Sequence, residues 1–324
     1  MKRNKALDFF YRLLIYVAIF FVSLCVIFLA INLLLTKQIK TNIAVFNQLE
    51  TNIFARFGRY MRDLFSGSFG KVYSNLGGGE NISIPTLYFS QFKWTILFTL
   101  ITFIFALIIG NILGVWIGYK YGKTSDVLVN FLISIFATIP LILIAILALS
   151  FSHIFAYPSQ FISDYPFALQ SLLVPILITS FGTISLFMAK ARKTTKEVLS
   201  SNYYLFAKTI GMSRVELFKK VLLKKLIINQ LQTLIPFYIL LITSSIVIER
   251  IFSIPGQSVF ISFAFQKAEI NMIMYFFFVS LLLLLIYKFI IDFIVEYLNP
   301  EQRKQSGILF FNKPKVNSLR RKYA

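Results

Sequence analysis

The chain has 324 residues, 57% of them hydrophobic, with a mean hydropathy of +0.75, well above the roughly 45–50% apolar usage of soluble domains; this composition belongs to a bilayer. The formal charge of +20 would suit a nucleic-acid partner, but Lys and Arg gather at the ends of apolar runs, as when positive residues stay on the cytoplasmic side facing anionic headgroups, and nucleic acid is set aside as a partner. Cys25 is the single cysteine and His153 the single histidine, which leaves out internal disulfides, Cys/His metal clusters and a Ser/His triad.

A bilayer core of about 30 Å takes roughly 20 apolar residues as a helix, because every backbone polar group must be satisfied internally. Six runs meet that test, at residues 12–36, 93–119, 127–152, 169–189, 228–252 and 273–298. The first follows Met1-Lys2-Arg3-Asn4-Lys5. That start resembles a signal peptide, but the apolar core exceeds the roughly 7–15 residues of a signal's h-region and lacks a small-x-small cleavage site, so it reads as a retained anchor.

With the N-terminus inside, the cytoplasmic segments carry Lys2, Arg3, Lys5 and Arg12, then Lys120 and Lys123, then the run from Lys190 to Lys225, then Arg303 to Lys322. Residues 153–168 hold no Lys or Arg and 253–272 only Lys267; the long 37–92 loop carries Lys40, Arg56, Arg59, Arg62 and Lys71 but weighs less in this rule. The chain is therefore expected to be an all-α polytopic membrane protein with six transmembrane helices and both termini cytoplasmic. Residues 1–11 form the N-terminus, 37–92 an extracellular loop, 93–298 the membrane core with a cytoplasmic excursion at 190–227, and 299–324 a basic tail.

Gly67-Ser68-Phe69-Gly70-Lys71 lacks the first glycine and final Ser/Thr of a phosphate loop, with Phe65 and Val72 in those places, and Asn81-Ile82-Ser83 is a three-residue glycosylation match given no role. The middles of the spans are nearly free of ionisable groups. Glu249, Lys288, Asp292 and Glu296 lie towards the ends of the last two, and Lys288, Asp292 and Glu296 stand at i, i+4, i+8, the spacing of a helix-surface ion pair rather than a proton relay. The spans thus carry little evident means of powering work across a bilayer, and any driving force must come from elsewhere.

The 190–227 excursion is the most informative stretch. Asn202 is placed to cap a helix in which Tyr203, Phe206, Ala207 and Ile210 form an apolar stripe. Gly211 supplies a left-handed closure. Ser213-Arg214-Val215-Glu216 has capping-box spacing. A second helix comes next, with Leu217, Phe218, Val221 and Leu222 on one face and Lys219, Lys220, Lys224 and Lys225 largely opposite. Two short amphipathic helices jointed at a glycine suit either partner docking or contact with lipid headgroups, and periodicity leaves both open.

The run Ala207-Lys208-Thr209-Ile210-Gly211-Met212-Ser213 resembles the cytoplasmic loop of binding-protein-dependent ABC importer permeases, whose pattern is Glu-Ala-Ala, three residues, then Gly; Leu205 and Phe206 depart from its first two positions. Its flanks are similar to the oligopeptide/dipeptide branch, and in particular to its first, B-type subunit. Lys190-Ala191-Arg192-Lys193 with Asn202-Tyr203 looks like that branch's basic exit from the fourth span and its Asp-Tyr pair. Glu249-Arg250-Ile251-Phe252-Ser253-Ile254-Pro255-Gly256 looks like its acidic-x-Ile-Phe-Ser-x-Pro-Gly signature, with Gln257 departing after it. Gly110, Gly114, Pro140, Leu173-Val174-Pro175, Gly67 to Gly70 and Tyr297-Leu298-Asn299-Pro300 fall in family order.

The resemblance implies a type I importer permease fold pairing with a second, related permease subunit around a pore. It also implies two cytoplasmic ATPases that hold the ATP and Mg, with no cofactor on this chain, and an extracellular peptide-binding protein or lipoprotein. The ATPase-coupling residues it points to are Tyr203, Phe206, Ala207, Lys208, Gly211, Met212, Ser213, Arg214 and Glu216; the signature after the fifth span is Glu249, Phe252, Pro255 and Gly256. Pro255-Gly256 reads either as an external turn or as part of a re-entrant gate-side segment, and Pro140 and Pro175 as sites where a helix kinks. Oligopeptides are the expected cargo, with dipeptides, nickel chelates or glutathione as alternatives. A membrane scaffold or an intramembrane enzyme is the remote one, and the setting is a bacterial cytoplasmic membrane.

Overall fold

The computed structural model describes residues 5–74, 83–164 and 166–298. The basic tail 299–324, residues 1–4 and the Asn81-Ile82 pair lie outside the described residues. Every described element is a helix: α1 Lys5–Leu34, α2 Thr36–Thr41, α3 Ile43–Phe46, α4 Ile53–Ser66, α5 Ile84–Tyr119, α6 Thr124–Thr138, α7 Leu141–Phe155, α8 Phe167–Leu199, α9 Asn202–Thr209, α10 Arg214–Glu216, α11 Leu223–Ile251, α12 Gln257–Gln266 and α13 Ile270–Leu298. A π-helical stretch, Leu217–Leu222, joins α10 to α11 without a break.

Five helical stretches are long and apolar enough to cross a membrane: Phe10–Leu34, Ile84–Tyr119, Phe167–Leu199, Arg214–Ile251 and Ile270–Leu298. This is a multi-pass membrane protein. The run expected as a straight span at 127–152 is instead α6 and α7, bent by 87° at Ile139–Pro140. Proline removes a backbone donor and pushes the residue before it out of helical geometry; Ile139 accordingly sits at φ −67°, ψ 129°. Other spans outgrow their apolar cores. Ser83 caps α5 ten residues before the expected start at 93, and α8 carries its helix through Lys190, Arg192 and Lys196 to Leu199, because Ala, Lys, Arg and Glu are good helix formers whether or not lipid surrounds them.

The centre of the bundle is the α5–α8 pair. Gly110, Gly114 and Gly118 lie one turn apart on α5, and a Cβ at Gly114 would stand 2.5 Å from the Met188 carbonyl and 2.6 Å from Ala191 Cβ. Lacking side chains, the glycines let the two backbones touch, the close approach on which helix association in lipid relies. Phe187, Phe237 and Phe103 fill the adjoining core.

Ring and polar contacts fix which helix ends share a side. α1 runs antiparallel to α13: Arg12 pairs with Glu296 at 2.7 Å, the Tyr16 hydroxyl donates to Asp292 at 2.5 Å, and Phe20 meets Phe278 at 5.6 Å. The expected Lys288–Asp292 pair exists at 3.1 Å, but the acidic row also ties α13 to α1. At one end of α5, Asp126 of α6 meets Arg192 of α8. At its other end, beyond α7, the Phe161 N–H donates to the Phe252 carbonyl at 3.0 Å and the Phe161 ring packs on Trp94 at 4.7 Å.

The stretch before α5 is not an open loop. Buried Glu269 accepts from the Tyr73 and Ser74 N–H groups at 3.0 and 2.5 Å, and the Asn271 amide donates to the Lys71 carbonyl at 2.9 Å. The Asn42 amide reaches the Lys267 carbonyl at 2.7 Å. Val45 and Tyr60 enter one core with Phe28 of α1, Tyr88 of α5 and Tyr275 of α13.

Candidate functional site

The basic end of α8 leads into a tight helical turn. Ser201, not Asn202, caps α9: its hydroxyl accepts from the Tyr204 N–H at 3.4 Å, and Asn202 is the first helical residue. The cap moves one position because the residue before the first helical turn must be extended, and Ser201 has φ −81°, ψ 146°. α9 ends at Thr209, and Gly211 takes the left-handed conformation at φ +86°. The Met212 N–H then folds back on the Ala207 carbonyl at 3.3 Å.

A Cβ at Gly211 would find nothing within 4 Å, so the demand there is conformational rather than steric. The capping box forms in full. The Ser213 hydroxyl accepts from the Glu216 N–H at 3.3 Å, and the Glu216 carboxylate accepts from the Ser213 N–H at 3.0 Å and pairs with Lys220 at 3.3 Å.

The expected second short helix after the glycine joint is absorbed into a span, since Arg214 begins a helical run that continues to Ile251. Leu217 and Leu222 are buried, Phe218 and Val221 half-buried, and Lys219, Lys220 and Lys224 exposed. The joint therefore runs directly into the α11 span ahead of it and, through α9, into α8 behind.

Of the apolar stripe on α9, only Ala207 turns inward. Tyr203, Phe206 and Ile210 are 51%, 67% and 60% exposed, and Leu205 and Val215 stand open beside them, with Lys208 and Arg214 also exposed and Met212 half-buried. Five large apolar side chains on a cationic turn form the sort of patch that marks a contact surface.

Beneath the turn, the exit of α8 is locked to α6. Arg192 donates twice to Asp126, at 2.6 and 2.8 Å, and the Gly122 N–H donates to the same carboxylate at 3.0 Å. Arg192 and Lys196 both lie over the Tyr121 ring, at 4.6 and 3.9 Å. The hydrogen bond from Lys196 holds the Tyr121 phenol below its ordinary pKa. Sequence reasoning misses Asp126; its one signal is an acidic residue at the mouth of an apolar run.

The second signature lies at the far end of α11, about 50 Å from the glycine joint at 1.5 Å per residue, so the two sets of residues do not meet. Glu249 is fully buried. Its carboxylate accepts from the Thr95 hydroxyl at 2.7 Å and from the Ser258 N–H at 2.8 Å, at the first turn of α12. Thr95 in turn accepts from the Gln257 N–H at 2.8 Å, and the Gln257 amide reaches Ser245 at 2.9 Å. A Cβ on Gly256 would stand 2.5 Å from Glu249 Cδ and 2.6 Å from Thr95 Oγ1, so only glycine admits the carboxylate. Phe252 is buried, Ser253 takes φ +56°, and Pro255 completes a turn in which the Gly256 N–H donates to Ile254. Among the described residues no group of three His, Cys, Asp or Glu is placed to hold a metal ion.

Residues 110–304, from the middle of α5 through both signatures, match the model of the binding-protein-dependent transport system inner membrane component family. The chain belongs to this family. It is 26% identical over 249 residues to the oligopeptide transport system permease protein OppB of Mycoplasma pneumoniae, covering 74% of this chain and 62% of that protein. It is 25% identical over 263 residues to the dipeptide transport system permease protein DppB of Lactococcus lactis, covering 79% and 82%, and 25% identical over 225 residues to OppB of Escherichia coli, covering 68% and 71%. The match thus spans under two thirds of the mycoplasma relative. A solved structure described as an amino acid ABC transporter with histidines superposes with a TM-score of 0.45 at 14% identity, over 66% of this chain and 94% of that one. The Gly211 joint and the Glu249 turn therefore both lie inside the family's matched region, whereas α1 to α4 precede it.

Proposed function

We propose that this chain is a permease subunit of an ATP-driven importer, forming half of a peptide pore in a bacterial cytoplasmic membrane and coupling to cytoplasmic ATPases through α9 and the Gly211 joint. The observation that carries the reading is the exposed Tyr203, Phe206 and Ile210 cluster, built on a left-handed glycine and wired at both ends into membrane spans. A patch moved by a nucleotide-driven partner would shift α8 and α11 as rigid elements, which is coupling between two states with no chemistry on this chain. ATP and Mg belong to the partner ATPases, and the remaining partners are a second, related permease subunit and an external peptide-binding protein.

Six crossings with both termini cytoplasmic complete the proposal. Asp126 of α6 meets Arg192 near one end of α5, and Phe161, six residues past the end of α7, packs on Trp94 towards the other, which supports counting the bent pair as one crossing. The start of α1 lies beside the end of α13, which supports an even count. Peptides are preferred as cargo because the permease relatives carry oligopeptide and dipeptide transport in their names.

The test is crosslinking in a Cys25→Ser background. Ile210→Cys and Ser213→Cys, both at exposed positions, are expected to give ATP-sensitive crosslinks to a copurifying ATPase, and deletion of the chain is expected to abolish uptake of labelled peptides. Crosslinks to lipid alone would reassign the turn to the membrane surface.

A further inference from the structure

The helix break at Ile139–Pro140 serves no purpose in the docking turn or the outer signature, and it lies midway along an apolar stretch running from Thr124 to Phe155. Broken backbone is costly in lipid. Each helix end leaves N–H and C=O groups without an intrahelical partner, and at membrane depth such groups persist only where protein buries them or where they line a water-filled cavity. The Phe136 carbonyl would accept from the N–H of residue 140, which as proline has none. The 87° bend turns the first N–H groups of α7 off the α6 axis as well.

A cavity of about 410 Å³ opens against this break, within the roughly 300–1,000 Å³ of small-ligand sites. Its far wall is the mid-length of α8, with Thr179 and Gly182, and the outer half of α11, with Thr243 and Ser244. The three hydroxyls donate to their own helices, at Pro175, Ile239 and Leu241, so their lone pairs remain as acceptors. A Cβ on Gly182 would meet no atom within 4 Å: the helix is open to the cavity there. Among the described residues no Lys, Arg, Asp, Glu or His lines the space, and most of its wall is apolar.

We propose that the α6–α7 break, with Thr179, Gly182, Thr243 and Ser244, forms a binding site for the main chain of an extended peptide in passage, recognising backbone amides rather than side-chain charge. The inference rests on the peptide-permease reading. Hydroxyl oxygens and the Phe136 carbonyl receive the peptide's N–H groups, and the first N–H groups of α7 donate to its carbonyls. Discontinuous helices offering backbone groups to substrate are a recurring solution in transporters, since such groups need no ionisable side chain in lipid. The uncharged wall accepts peptides of differing side chains.

The experiment uses the intact transporter in membranes, with Gly182→Cys in a Cys25→Ser background and a membrane-permeant maleimide. Saturating Ala-Ala-Ala, Ala-Lys-Ala and Ala-Glu-Ala are each expected to slow labelling of the residue-182 thiol at least tenfold and to agree within threefold, whereas N-methylation of the central amide is expected to remove most of that protection. Gly182→Leu is expected to lower peptide uptake at least tenfold while membrane abundance and the ATP-sensitive crosslink at Ile210→Cys stay unchanged. Wild-type uptake by Gly182→Leu, equal protection by N-methylated peptide, or a thiol never labelled because a second permease subunit covers it would each overturn the site. If deleting the chain left peptide uptake intact, the peptide-permease reading itself would fall instead.

Discussion

Asp126 and Arg192 form a two-bonded ion pair, at 2.6 and 2.8 Å, in which the carboxylate is fully buried and the guanidinium about a quarter exposed. It joins the start of α6 to the last turns of α8, the helix that precedes α9 and the Gly211 joint. Under the proposed coupling, the pair ties the bent α6–α7 pair to the helix that leads into the Gly211 joint.

The asymmetry of that burial predicts an asymmetric response. Arg192→Met strands a buried carboxylate, an effect on the order of 3–5 kcal/mol, while Asp126→Asn leaves an Arg192 that is partly solvated and still rests on Tyr121. Thermal unfolding of the purified transporter should therefore fall further for Arg192→Met, and the double variant should recover part of the loss.

Gly211 sets a conformational demand without a steric one. Gly211→Val is expected to abolish transport while insertion persists, since a left-handed β-branched residue costs about 1–3 kcal/mol. Gly211→Asn, a residue that tolerates the left-handed region and whose Cβ would meet no atom within 4 Å, should retain most uptake. Transport assays on both variants at matched membrane abundance separate this from a packing role, which would penalise Asn as well.

At the Glu249 turn, Glu249→Ala leaves the Thr95 hydroxyl and the Ser258 N–H without their acceptor, at about 1–3 kcal/mol for each buried group. Hydrogen exchange along α12 should rise. Gly256→Ala should be more damaging alone, because its Cβ would meet the carboxylate at 2.5 Å. Combined with Glu249→Ala it should cost less than the sum, a coupling that a double-mutant cycle measures.

The glycines of the α5–α8 seam can be told from spacer glycines by substitution. Gly114→Leu must push α5 off the Met188 carbonyl and is expected to reduce the yield of monodisperse protein severely. Gly58→Ala on α4, where a Cβ meets nothing within 4 Å, should be neutral or raise the melting temperature slightly, because alanine is the better helix former. Detergent-extracted yield and melting temperature distinguish the two.

The sequence by itself determined whatever is decided within a few turns of helix. Runs of about 20 apolar residues located the long spans, Gly211 carried its left-handed φ, and Ser213 with Glu216 carried the capping box, since each rests on neighbours three or four positions away. Small errors came from the same locality: the cap fell at Ser201 rather than Asn202, and helices ran past their apolar cores because helix propensity does not stop where lipid does.

Only the tertiary structure decided which distant groups satisfy one another. Thr95 and Glu249 are 154 positions apart, and Asp126 and Arg192 are 66 apart; no local window pairs them. The bend at Pro140 shows the division most clearly. Proline announces that a helix bond is lost, but whether the chain kinks slightly or turns by 87° depends on what packs against it. Here α8 and α11 leave an open space beside the break, lined mainly by apolar side chains with the hydroxyls of Thr138, Thr179, Thr243 and Ser244 among them.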